Sequence, residues 1–248
     1  MEKTVGLSSE SYNEFLRCLS VLREVCNDVD IRGGFIRQRS NDNGSIFEMD
    51  VNSLVEDINM PLSNLSENLE LLKMFSDEEV HITFDEHSVS FVDQYSILKF
   101  DCPALEFLDN RFMNEDELKN IFTLDDEKIV VDYEIPTPVT DRIRIVSKGF
   151  NVTTVQINFE GETISLSTRN QAKDKYARFI GGVDARVVIE SGSSNLVVTP
   201  FVIDHTSDIL FKMYESSKEG IFINKFSTDI EDVPVAVYTR SSLIQEEE

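Results

Sequence analysis

From Ser9 to Cys26, apolar side chains fall at three- and four-residue steps, Tyr12, Phe15, Leu16, Leu19, Leu22 and Cys26, which predicts an amphipathic helix. Ser9 or Ser11 is placed to cap it, since a serine oxygen accepts an otherwise unpaired first-turn amide. A short extended start, Val5 to Leu7, precedes the helix. After it, Ile31, Phe35 and Ile36, the polar turn Asn41-Asp42-Asn43-Gly44, and Ile46, Phe47, Met49 and Val51 predict paired strands. Leu65, Leu69, Leu72 and Phe75 recur on one face of a second helix between Leu62 and Phe75, with Lys73 off that face. Val80, Ile82 and Phe84 then alternate with polar neighbours, and after the turn Asp85-Glu86-His87 come Val89, Phe91, Tyr95, Ile97 and Leu98 in strand-like runs.

That regularity breaks between Pro103 and Lys128, where acids dominate and only Arg111 and Lys119 offset them. The stretch also carries Leu105, Phe107, Leu108, Phe112, Ile121 and Phe122, too apolar for a solvated linker, so part of it packs, with a short helix expected around Asn114 to Phe122. Beyond it Ile129, Val131, Tyr133 and Ile135 alternate as a strand, and Pro136 to Gly149 reads as a helix capped at Thr140-Asp141. Strand pairs follow at Val152 to Phe159 and Thr163 to Thr168, with extended stretches near Tyr176 to Ile180, Arg186 to Ile189 and Leu196 to Thr199. Ile209, Leu210 and Met213 predict a last helix from Ile203 to Tyr214, and Ile221 to Phe226 and Val233 to Tyr238 close the chain as strands. The two halves repeat one order, helix, hairpin, helix, strands, so an α+β chain with a duplicated architecture is expected: a first domain at 1–103, an acidic connector at 104–128 and a second domain at 129–248.

Length allows that division, since 248 residues suffice for one large all-β or mixed domain or for two domains that each bury a core. With 41% hydrophobic residues the composition is globular, no stretch reaches membrane-spanning length, and the opening residues lead into no secretory signal, so a cytoplasmic location is expected. The charge changes the picture more: 23 Lys and Arg stand against 46 Asp and Glu, a net charge of -23. Such an average field repels membranes and nucleic acid, although a fold can segregate a small basic strip from an acidic exterior.

Catalytic chemistry is nearly absent from the pattern. His81, His87 and His205 lie in unrelated segments without the spacing of a zinc site, and Cys18, Cys26 and Cys102 form neither a metal knuckle nor a disulfide framework. Gly33-Gly34 lacks the further glycines, lysine and helix start of a phosphate loop and reads as a turn. No nucleophile elbow occurs. The expectation is therefore a protein that is not an enzyme and uses no metal or cofactor.

Two domains of this order, joined by an extended acidic connector, resemble a DNA sliding clamp, and look most like the clamps of tailed bacteriophages. Phe15 to Phe47 resembles the first helix and hairpin, Asn68 to Pro103 the second helix and closing strands, and Ile143 to Gly149 with Asn151 to Asn170 the helix and hairpin of the second domain. The resemblance implies the DNA clamp fold, in which three subunits close head to tail into a ring with helices inside and antiparallel sheets outside. It further implies as partners double-stranded DNA, held topologically and without sequence preference, a DNA polymerase and a clamp loader, and no membrane. An alternative is a β-rich viral structural or adaptor protein that does not encircle DNA.

Under the clamp expectation, Arg17, Arg23, Lys73, Arg142, Arg144, Lys148 and Lys212 on the four helices are the candidates to face DNA, although Glu10, Glu14, Glu67, Glu70, Asp204 and Asp208 share those helices. Arg32, Arg37 and Arg39 form a further basic run on the first hairpin, suited either to DNA or to balancing the acidic surface. In the family, partners insert a short peptide between the connector and the adjoining sheets. By that likeness Leu105, Phe107 and Leu108, with Val235, Val237 and Tyr238, are the candidate partner-peptide pocket.

Overall fold

A computed structural model describes residues 3–23, 26–40, 44–55, 59–75, 79–85, 88–102, 112–122, 124, 128–151, 154–160, 163–170, 175–180, 186–187, 191–197, 208–216, 220–230 and 232–241. The chain forms two compact units, Met1–Glu115 with Asp229–Val235, and Asp116–Thr228 with Ala236–Glu248.

The first unit runs β1 (Lys3–Leu7), α1 (Ser9–Arg23), β2 (Val29–Arg32), β3 (Phe35–Arg39), β4 (Ser45–Asp50), β5 (Met60–Leu62), α2 (Leu65–Leu72), a 3-10 turn (Lys73–Phe75), β6 (Val80–Phe84), β7 (Ser88–Val92) and β8 (Ile97–Asp101). Its strands pair antiparallel in the orders β1-β6-β7-β8 and β5-β2-β3-β4. The helical spacing read from the sequence holds: Tyr12, Phe15, Leu19 and Leu22 of α1 and Leu65, Leu69 and Leu72 of α2 are buried. The cap of α1 lies one residue earlier than expected, because the hydroxyl of Ser8 accepts the Ser11 amide at 3.2 Å. Gly33 and Gly34 make the β2–β3 turn, both with positive φ (57° and 74°). At Gly34 a Cβ would overlap the Asn52 side chain, so this turn needs glycine on two counts.

The rest of the chain runs α3 (Glu115–Ile121), β9 (Ile129–Ile135), α4 (Thr137–Phe150), β10 (Thr154–Glu160), β11 (Thr163–Asn170), β12 (Lys175–Ile180), β13 (Arg186–Val187), β14 (Ser191–Val197), β15 (Ile209–Glu215), β16 (Phe222–Ile230) and β17 (Val233–Ser241), all of it in the second unit except Glu115 and residues 229–235. Here the orders are β9-β15-β16-β17, with β13 on the other side of β9, and β14-β10-β11-β12. The duplication expected from the sequence is thus present in the topology. In each unit the strand preceding the long helix, β1 before α1 and β9 before α4, pairs with the first of three closing strands, and three strands after that helix form a meander whose first member takes a fourth strand on its other side.

One expected element is overturned. Residues 209–214 are not helical: Ile209 to Glu215 is a strand that pairs with Ile135 to Ile129 on one side and with Ser227 to Phe222 on the other. Ile209, Phe211 and Met213 point into the core with period two, which a helical count of Ile209, Leu210 and Met213 misses. The rest of that expected helix, through Asp204 and His205, lies outside the described residues, as does His87.

Aromatic side chains tie each core together. In the first unit Phe91 of β7 makes ring contacts with Tyr12, Phe75 and Phe100 at 6.4, 6.4 and 6.0 Å between centroids. The buried Tyr12 phenol donates to the carbonyl oxygen of Leu72 at 2.8 Å, satisfying an acceptor at the end of α2. Burial pushes the Tyr12 pKa up, which keeps the hydroxyl in its donating form. In the second unit Phe211 stacks on Phe226 at 4.8 Å and on Phe159 at 6.5 Å.

Candidate nucleic-acid face and partner seat

The packing that buries one side of each helix fixes what the other side presents. In the first unit the outward positions of α1 and the α2 segment carry Arg17, Arg23 and Lys73, but Glu10, Glu14, Glu67 and Glu70 accompany them. Lys73 is committed to Glu70 at 2.6 Å, and its hydrogen bond holds that carboxyl below the usual carboxylate range. These helices therefore offer no net positive field.

In the second unit the balance reverses. Thr140, Ile143 and Ser147 are the buried positions of α4, leaving Arg142, Ile145 and Lys148 exposed along one outward line. Arg144 is half-buried and paired with Asp141 at 2.7 Å, so α4 carries three cations against that single acid. Its start is anchored from far along the chain. Asp208 Oδ1 accepts both the Thr137 amide, at 2.5 Å, and the Thr137 hydroxyl, at 2.7 Å. The expected Thr140-Asp141 cap is not used, because α4 begins a turn earlier and the Thr140 hydroxyl donates back to Thr137 O at 2.9 Å.

The hydrogen bonds from the Thr137 side chain and amide lower the Asp208 pKa. A carboxylate with a depressed folded pKa stabilises at pH above its unfolded value, about 3.9, and the contribution vanishes as pH falls through the folded value. Asp208→Ala is accordingly expected to cost about 1 kcal/mol or less at neutral pH, given the exposure of the cap. Melting midpoints of the two proteins at pH 7 and pH 3 check this; a gap that stays the same at both would rule out the charged carboxylate as the cap.

Lys212 does not belong to a helix. It sits on β15 opposite Asp132 of β9, with 3.8 Å between Nζ and the carboxylate oxygen. The basic run on the first hairpin is largely neutralised in place. Arg32 pairs with Asp30 at 2.6 Å and lies over the Phe112 ring at 4.4 Å, while Arg37 pairs with Glu48 at 2.6 Å and lies over Phe35 at 4.2 Å.

Of the candidate pocket residues, Leu105, Phe107 and Leu108 lie outside the described residues. The other three do not share one face. Strand alternation along β17 puts Val235 and Val237 on one side and Tyr238 on the other with Arg240. On that second side sits a cluster that the sequence reading left unassembled. Phe122, directly after α3, stacks on Tyr238 with 5.4 Å between centroids and 20° between planes. The Arg240 guanidinium lies 5.6 Å over Phe122 and donates to Ile121 O at 3.2 Å, and the Lys225 ammonium lies 5.6 Å over Tyr238. Phe122 was legible only as an apolar residue that must pack; its partner was not.

Two sheet edges complete the inventory. β8 and β12 each end a sheet order. Ile97 on β8 is 73% exposed and Tyr176 on β12 is 60% exposed. Lys175 and Arg178 are also outward on β12, and Lys99 and Asp101 on β8. Among the described residues no helix is long and apolar enough to cross a membrane, and no group of three or more His, Cys, Asp or Glu side chains is placed to hold a metal ion.

No protein-family model matches this chain, and no curated protein does. Solved structures do. Proliferating Cellular Nuclear Antigen (PCNA) from Entamoeba histolytica aligns with a TM-score of 0.60 at 9% identity, covering 98% of both chains. The PCNA of A. fulgidus, solved with the C-terminal region of FEN-1, aligns with a TM-score of 0.60 at 11% identity over 100% of both. The Helicobacter pylori beta clamp, solved with a DNA ligase peptide, aligns with a TM-score of 0.60 at 13% identity, over 99% of this chain and 68% of that one. At such identities the likeness speaks for architecture, and it spans the chain from end to end: this is the fold shared by PCNA and the beta clamp.

Proposed function

We propose that the chain is a sliding clamp of the kind carried by tailed bacteriophages. Three copies close head to tail around duplex DNA, a clamp loader places the ring, and the ring tethers a replicative polymerase in the host cytoplasm. The observation that carries this reading is the duplicated topology, which matches clamp structures along the whole chain. A closed ring keeps its partner at high effective concentration without tight DNA contacts, and weak phosphate contacts are what permit sliding. The protein then works as a scaffold and not as an enzyme, with no cofactor.

Two features of the charge distribution support it. The net charge of -23 disfavours binding of DNA to the outside, and α4 offers a local excess of cations through Arg142, Arg144 and Lys148. We assign the main phosphate contacts to α4, with Arg17, Arg23 and Lys73 as minor ones because neighbouring glutamates offset them. Lys212, on a strand beside Asp132, is left out of that set. For assembly, the two sheet edges β8 and β12 supply backbone with no strand partner on one side among the described residues, and exposed apolar side chains, for pairing between neighbouring copies. Partner peptides, of the sort held by the archaeal and bacterial clamps above, are assigned to the second unit near Tyr238.

The reading is tested by retention: loaded chain stays on circular DNA and runs off linear DNA, whereas equal loss from both refutes it. Reversing the α4 charges in an Arg142→Glu, Lys148→Glu double variant is expected to cut the processive extension length by roughly tenfold at moderate salt, with oligomer mass unchanged. Wild-type primer extension by that variant would remove α4 from the DNA face.

A further inference from the structure

The four strands β14, β10, β11 and β12 carry a charge balance unlike that of the chain as a whole. They hold a single acid, Glu160, against Arg169, Lys175 and Arg178, where the full sequence has two acids for every base. Strand parity sorts the side chains between the two faces of this sheet. Val155, Ile157, Phe159, Ile164 and Leu166 are buried on the core side. On the other side Gln156 stands opposite Ser167, Ser167 opposite Arg178, and Arg169, two residues after Ser167, opposite Tyr176. Asn158 belongs to that side too, since its amide donates to the Ser167 hydroxyl at 3.1 Å. Arg169 and Arg178 are diagonal neighbours on adjacent strands, about 7–8 Å apart. Both are exposed, and among the described residues neither is paired with a carboxylate, whereas Arg32, Arg37 and Arg144 each are. Tyr176, 60% exposed, stands opposite one of the two arginines and two residues before the other. Glu160 lies in the row of Thr163, four residues along β11 from Ser167, or about 13 Å away. Two cations without counter-charges, an exposed ring between them and neutral hydrogen-bonding side chains beside them are complementary to phosphates that carry unpaired bases.

We propose that this face of the second unit binds single-stranded nucleic acid without sequence preference, with Arg169 and Arg178 taking phosphates and a base stacking on Tyr176. The strand is single because a duplex keeps its bases stacked on one another and offers an outlying tyrosine no ring, whereas an unpaired strand presents a base face at every step. The site is a local exception to the average field of the chain: the net charge of -23 still repels nucleic acid at a distance, which keeps the affinity low and makes the contact depend on the two arginines. Pairing of β12 with a further strand uses backbone in the plane of the sheet and leaves the faces open, so the site and the edge do not compete. Nor does the site depend on ring closure, because all its residues belong to one sheet.

The probe is a fluorescein-labelled oligo(dT) of about 12 nucleotides, titrated into the full-length protein at low salt and read by anisotropy. An Arg169→Gln, Arg178→Gln double variant is expected to bind it at least about tenfold more weakly, and to flatten the slope of log affinity against log salt by about 1.4, as for two lost phosphate contacts. Arg169→Lys with Arg178→Lys, which keeps both charges, is expected to stay within about threefold of wild type. Circular dichroism establishes that each variant is folded, and should the glutamine double variant fail, Arg178→Gln alone replaces it with about half that change in slope. The same strand carrying 5-iodouracil is crosslinked under ultraviolet light, and the peptide containing Tyr176 is expected to be the one modified. A poly-glutamate peptide is expected not to displace the oligonucleotide. Absence of binding to wild type, unchanged affinity in the folded glutamine variant, or a crosslink in α4 in place of β12 overturns the proposal. Displacement by poly-glutamate also overturns it, since the face would then be a seat for acidic peptides.

Discussion

Ile97→Asp is expected to turn a stable oligomer into a folded monomer. Ile97 is the exposed large apolar side chain of β8 and lies on the outermost strand of its sheet, where one row of backbone amides and carbonyls has no partner among the sheet's own strands. Edge strands of this kind recruit another strand unless a charge blocks them, and a carboxylate within a strand-strand contact has to be desolvated with no cation assigned to it. The substitution costs the monomer little, since the side chain faces solvent there. Light scattering at micromolar concentration checks the outcome: a mass of three chains for wild type and of one for the variant is the expected pair. A wild-type monomer would undo the ring, and an intact oligomer in Ile97→Asp would move the contact away from β8. Tyr176→Asp on β12 is the matching test of the other edge, and mixing it with Ile97→Asp distinguishes a head-to-tail contact from a symmetric one. In a head-to-tail arrangement the Ile97→Asp chain still offers an intact β12, and the Tyr176→Asp chain an intact β8, so the mixture forms dimers that neither variant forms alone.

Most of the fold was legible because its signals are local. The three- and four-residue steps of Tyr12, Phe15, Leu19 and Leu22 describe one side of α1 whatever it packs against, and the alternation of Ile129, Val131, Tyr133 and Ile135 describes β9 equally well. Where the reading failed, the deciding partner was distant. Ile209, Leu210 and Met213 satisfy a helical count, and only pairing with β9 and β16 selects the strand, which is how Lys212 came to be placed on a helix. The anchor of α4 was out of reach for the same reason: Asp208 stands 71 residues from Thr137, while Thr140-Asp141 looked sufficient locally. Among the candidate pocket residues, strand parity was the part not read. Val235, Val237 and Tyr238 are neighbours in sequence, yet a strand turns successive side chains to opposite faces, so Tyr238 belongs with Arg240 and with Phe122 from the connector.

Phe91→Ala is expected to be the most damaging single truncation in the first unit, costing about 3–5 kcal/mol. Phe91 is fully buried, and its ring meets Tyr12 from α1, Phe75 from the end of the α2 segment and Phe100 from β8, so one side chain joins both helices to the sheet. Truncation removes the transfer free energy of the ring and leaves a cavity that rigid neighbours on three separate elements cannot close. Phe91→Leu, which restores much of the volume, is expected to cost under half as much. Urea unfolding followed by circular dichroism measures both. The loss is also expected to reach β8: with Phe100 deprived of its ring contact, the edge that carries Ile97 loses support, so the oligomer of Phe91→Ala should dissociate at higher protein concentration than wild type even where the variant is fully folded. A variant within about 1 kcal/mol of wild type would mean that the neighbouring rings collapse into the space, and that the first unit is far more plastic than its aromatic packing implies.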